Sequence, residues 1–68
     1  MIKVLKLSVN SVLKEVQVEL FADTQSEVTN NLTLDQIPDG YSIAQGSSVI
    51  TASADFAFRK SDGTWSWI

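Results

Sequence analysis

The chain carries eight carboxylates and five basic side chains, and it has no histidine and no cysteine. That inventory restricts its chemistry. Imidazole is the commonest general base and transition-metal ligand, and thiolate is the other soft ligand and strong nucleophile. A serine nucleophile without histidine needs a lysine base, and no Ser–Lys motif is visible. Asp35 and Asp39 flank Pro38 and could offer a hard cation carboxylate and backbone oxygens. The alternating Asp/Asn pattern of a calcium loop is absent, however, and turn chemistry accounts for both residues. Gly46-Ser47-Ser48 lacks the spaced glycines and the lysine of a phosphate loop and reads as a corner before a strand. The expectation is a protein that is not an enzyme, with no catalytic residues, no metal and no cofactor.

The distribution of charge is more informative than its sum of −3. Between Glu15 and Phe58 there is no Lys or Arg, while Glu15, Glu19, Asp23, Glu27, Asp35, Asp39 and Asp55 all lie there. Lys3, Lys6, Lys14, Arg59 and Lys60 sit toward the two ends. A nucleic-acid backbone is tracked by clustered Lys and Arg, so this pattern argues against nucleic acid as a partner. It leaves open a pairing of two basic terminal strands. No segment has the length of a membrane span and no signal-peptide pattern opens the chain, so membrane partners are not expected and synthesis in the cytoplasm is the default. Asn31-Leu32-Thr33 matches a glycosylation sequon, a triplet frequent by chance.

The aromatic residues are the other candidates for function. Phe56 and Phe58, then Trp65 and Trp67, alternate with small or charged residues across Asp62-Gly63, the pattern of a β-hairpin. A two-residue Asp62-Gly63 turn would set Lys60 opposite Trp65 and Phe58 opposite Trp67, gathering the aromatics on one face with the Lys60 stem on an indole. A three-residue loop, Ser61-Asp62-Gly63, with Gly63 in a bulge would slip the register by one and set the tryptophans opposite Arg59 and Ala57. The first is favoured because it collects the aromatic surface. Phe56, Phe58, Lys60, Trp65 and Trp67 are therefore the candidate interface residues, with burial in the core as the alternative use of the rings.

The elements that must position these groups are strands. Ile2 to Val9 reads as a strand with Leu5, Leu7 and Val9 on one face and Ile2 and Val4 on the other. Asn10-Ser11 suits a tight turn. Val12 to Ala22 is the clearest alternation, Val16, Val18, Leu20 and Ala22 against Glu15, Gln17 and Glu19, with Leu13 and Phe21 breaking the polar face at its ends, where they could wrap over an edge or meet another subunit. Residues 23–40 are irregular. Thr24 with Glu27 and Thr33 with Gln36 have capping-box spacing and could each start one helical turn. The first is stopped by Thr29-Asn30-Asn31, and Pro38-Asp39-Gly40 forms a turn with Pro at the second position. Val28, Leu32, Leu34 and Ile37 are the anchors that would pin this connection to the sheet. Tyr41–Gln45 is a short strand or an extended segment, Ser48–Ala52 is a short strand with Val49 and Thr51 on one side and Ile50 on the other, and Ser53-Ala54-Asp55 turns into the final hairpin. The expected fold is one all-β domain over residues 1–68. It is a small antiparallel sheet, a curled barrel or a sandwich of five or six strands, with one or two helical turns in the middle loop. A core this small invites a partner.

Four segments together resemble a family: Phe21-Ala22-Asp23-Thr24, Ile37-Pro38-Asp39-Gly40-Tyr41, Gly46-Ser47-Ser48-Val49-Ile50-Thr51-Ala52 and Lys60-Ser61-Asp62-Gly63-Thr64-Trp65. They are similar to short proteins of tailed bacteriophages and prophages of Gram-positive bacteria that end in a Ser-Asp-Gly-Thr-Trp-like hairpin and lie among virion structural genes. The resemblance covers most of the chain from Phe21 onward and carries over no active site. It implies a virion structural or interaction protein that associates with itself or with other phage structural proteins, made in the host cytoplasm and incorporated in the virion. A different class of function, a small acidic binding module, remains beside it. Such a module would inhibit a host protein through clustered carboxylates or grip a glycan through Trp65 and Trp67.

Overall fold

A computed structural model describes residues 1–29 and 34–68. Six strands and one short helix follow in the order β1 (Ile2–Asn10), β2 (Glu15–Ala22), α1 (Gln25–Thr29), β3 (Ser42–Ile43), β4 (Ser48–Thr51), β5 (Phe56–Arg59) and β6 (Trp65–Trp67). They form one sheet in the order β1-β2-β4-β5-β6, with β3 also paired to β2. The all-β class, the strand number and one helical turn are as the sequence implies. The sheet stays open, not closed into a barrel, and it is mixed, not antiparallel: β3 and β4 both run parallel to β2. A parallel return needs a long crossover, and residues 23–47 supply it.

β1 and β2 form an antiparallel hairpin from Ile2↔Ala22 to Asn10↔Glu15. Its turn is longer than Asn10-Ser11. The Asn10 carboxamide oxygen accepts the amide N–H groups of Val12 and Leu13, and Lys14 takes φ 57° before β2 begins. A register shift between Val4 and Lys6 leaves Leu5 as the extra residue of a bulge. This corrects the two-faced reading of β1. Ile2, Val4, Leu7 and Val9 all end opposite the core residues of β2, and Leu5 is left 56% exposed.

The sheet has an inner and an outer face. Val16, Val18, Leu20 and Ala22 of β2, Val49 of β4 and Ala57 of β5 are buried on the inner face, and Val28 of α1 closes over them. Leu34, Ile37, Tyr41, Ile43, Trp65 and Trp67 pack around this cluster. Glu27 starts α1 as the Thr24–Glu27 spacing implies: its carboxylate accepts the N–H groups of Thr24 and Asp23. The Met1 amino group also hydrogen-bonds Glu27, chiefly by which the carboxyl is held below its ordinary value. The other end of α1, the anchor Leu32, the sequon and the Thr33 start of a second turn involve residues outside those described.

Two local devices hold the middle of the sheet. Pro38–Tyr41 is a turn closed by the Tyr41 N–H on the Pro38 carbonyl at 3.1 Å, with Gly40 at φ 84°. Pro38 thus stands first in the turn, not second, because a positive φ is needed two residues later, at the glycine. Between β3 and β4 the ladder to β2 is interrupted. Ser47, fully buried, fills the gap: its Oγ accepts the Val18 N–H at 3.0 Å. A buried amide that a strand would otherwise satisfy is satisfied by a side chain.

Candidate interaction surface

The final hairpin decides which aromatics meet. Its register is Arg59↔Trp65, Phe58↔Ser66 and Ala57↔Trp67. The loop is Ser61-Asp62-Gly63, with the Gly63 N–H on the Lys60 carbonyl at 3.1 Å, the Lys60 N–H on the Thr64 carbonyl at 2.8 Å and Gly63 at φ 85°. This is the three-residue loop with a glycine bulge, and it corrects the favoured pairing of Lys60 with Trp65 and Phe58 with Trp67. Two contributions choose it. Asp62 Oδ1 accepts both the N–H and the hydroxyl of Thr64, which stiffens the loop and holds the Asp62 carboxyl below its ordinary value. The slipped register also sends both tryptophans to the inner face, where they help to cover the core.

The five aromatic and basic candidates are consequently divided. Trp65 and Trp67 lie half-buried on the inner face, and the Arg59 guanidinium, in place of the Lys60 stem, sits over the Trp65 ring at 5.3 Å. Lys60 is exposed at the hairpin end, 3.9 Å from Asp62. Phe56 and Phe58 project from the outer face and meet edge to face, ring centroids 5.0 Å apart.

The outer face completes the picture. Pairing registers align Lys3, Phe21, Ile50 and Phe56 in one row across four strands. Ile68 follows, its N–H on the Phe56 carbonyl at 2.8 Å. A second row runs Lys6, Glu19, Ser48, Phe58 and Ser66. Ile50 is 41%, Phe58 44% and Ile68 81% exposed. An apolar stripe with a polar and charged margin therefore lies on the face opposite the helix and the core. The sequence marks Phe56 and Phe58, and sets Phe21 apart as an apolar break in the polar face of β2, but assigns no such role to Ile50 or Ile68. The available signal is an apolar residue on the otherwise polar side of its strand, Phe21 in β2 and Ile50 in β4.

The acidic groups are spread over several elements. Glu15 and Glu19 lie on β2, Asp23 and Glu27 at the start of α1, Asp55 before β5 bonded to the Thr51 hydroxyl, and Asp62 at the hairpin tip. Among the described residues no three acidic side chains come together as metal ligands. The two basic ends do not pair either, since β1 and β6 are the opposite edges of the sheet. Among the described residues no helix is long and apolar enough to cross a membrane. No protein-family model matches the chain, and no curated protein or solved structure matches it.

Proposed function

We propose that this chain is a non-catalytic structural or interaction protein, a component of a tailed phage or prophage, that works by self-assembly or by docking on a virion or partner protein. The outer-face stripe of Phe21, Ile50, Phe56, Phe58 and Ile68 carries this reading. Contiguous exposed apolar surface with a polar rim is the usual sign of a protein contact, and a domain of this size gains stability by covering it. The phage assignment rests on the segments Phe21–Thr24, Ile37–Tyr41, Gly46–Ala52 and Lys60–Trp65 and their resemblance to virion-associated proteins. The binding-module alternative loses support. Its tryptophans pack against the core, half-buried on the inner face.

The test is molar mass by light scattering across a concentration series, for the wild type and for an Ile50→Thr/Phe58→Thr double variant. The wild type is expected to form a discrete species larger than one chain, or to gain mass when mixed with a cognate virion protein. The variant should form a smaller species than the wild type, or lose the gain in mass with the virion protein, and keep its circular dichroism. A double variant that associates as strongly as the wild type would contradict a role for this face.

A further inference from the structure

The two edges of the sheet are not alike. β1 has the features that keep an edge from pairing: Lys3 and Lys6 along it and the Leu5 bulge within it. β6 carries neither; although only three residues long, Trp65-Ser66-Trp67 is uncharged and follows its partner β5 without a register shift. The hydrogen bonds of the hairpin fix which β6 groups face outward. The Thr64 carbonyl and the Ile68 N–H are used toward β5. By the two-residue period the backbone groups of Ser66 also face β5, and those of Trp65 and Trp67 face away. Among the described residues no hydrogen bond reaches the outward N–H and C=O of Trp65 or Trp67.

We infer that β6 is a dimerisation edge that pairs antiparallel with β6 of a second copy about a two-fold axis at Ser66. The strand is self-complementary in that register. Trp65 of one copy meets Trp67 of the other as a hydrogen-bonded pair, so every outward group on those two residues gains a partner, and the indoles become cross-strand neighbours on the inner face. The other symmetric choice, β1 on β1, would bring two Lys-bearing strands together. Pairing β1 of one copy with β6 of the next is head-to-tail and gives a ring or a filament, and the bulged, basic β1 edge opposes it. Edge pairing also joins the two outer faces into one surface, with the two Ser66 residues meeting at the axis and Phe58 of each copy flanking them. This rests on the assembly reading above and adds to it: a second copy covers the β6 edge, and the joined outer face stays available for further assembly.

The test uses the absence of cysteine from the chain. Ser66 would face its own copy as a non-hydrogen-bonded pair, with Cα atoms about 4.5 Å apart, inside the range a disulfide spans. Under a glutathione redox buffer, Ser66→Cys is expected to form a covalent dimer, and Ser8→Cys on the β1 edge is not. Independently, Ser66→Lys should weaken association at least about tenfold, since like charges would oppose each other at the axis, and mixing it with Ser66→Glu should restore it. Crosslinking at Ser66→Cys no greater than at Ser8→Cys, or Ser66→Lys that associates like the wild type, overturns the edge pairing. If the chain still associates through residues 50 and 58 in that event, the assembly reading survives without it. A wild type that is monomeric at every concentration and binds no virion protein overturns both.

Discussion

On the inner face Val16, Val18, Leu20, Ala22, Val49 and Ala57 are buried beneath Val28, Tyr41 and the two tryptophans. On the outer face Phe21, Ile50, Phe56 and Phe58, side chains at least as large, keep part of their surface in water. The same strands supply both sets, so strand propensity cannot account for the difference. What differs is the crossover, which covers one face only. Transfer of a large apolar side chain from water is worth roughly 1.5–3 kcal/mol, and with about two-fifths of their surface exposed, Ile50 and Phe58 each retain roughly 1 kcal/mol to gain from a partner. The inner face has already been used for folding, and the outer face is where binding energy is left.

The largest expected effect separates the two faces directly. Leu20→Ala removes a fully packed side chain and should cost about 2–5 kcal/mol in urea denaturation. Ile50→Thr, measured on the dilute chain, should cost less than about 1 kcal/mol. Equal losses would mean that the outer face is also core. Next in size is Ser47→Ala, which leaves the Val18 N–H without its acceptor and should destabilise by about 1–3 kcal/mol. Ser47→Thr, which keeps the hydroxyl but adds a methyl to a filled site, separates loss of the bond from loss of space. Gly63→Ala should cost roughly 1–2 kcal/mol, because the bulge holds residue 63 at φ 85°. That loss would support the register that puts the tryptophans on the inner face.

The smallest effect is at the hairpin tip. The Asp62 carboxyl is lowered by the hydrogen bonds from Thr64, so its contribution is fully present above the unfolded aspartate value. It is lost as pH falls through the lower folded value. The Thr64 and Gly63 amide resonances should move in that acid window, while those of Val18 and Val49 should not.

Much of this was legible in the amino-acid sequence. The β2 alternation named its buried residues, Val49 and Thr51 were placed opposite Ile50, and Thr24 with Glu27 marked the start of α1. The errors share a cause. A bulge at Leu5 and a one-residue slip at Gly63 each turn side chains to the other face, and a local pattern is compatible with both outcomes. Tertiary covering of the inner face chooses between them. The parallel return to β4 was equally hidden, since residues 23–47 contain no signal of where the chain comes back. Ser47 had no sequence signal either; its role exists only because β3 ends before β4 begins.

Amide and methyl resonances followed over a dilution series, and on addition of a virion protein, test residue by residue whether the outer face of the sheet is an interface. Shifts are expected to concentrate at Phe21, Ile50, Phe56, Phe58 and Ser66, with the exposed β1–β2 turn at Val12 and Leu13 unchanged. Spectra that change nowhere on that face, or change only at the β1–β2 turn, would contradict it.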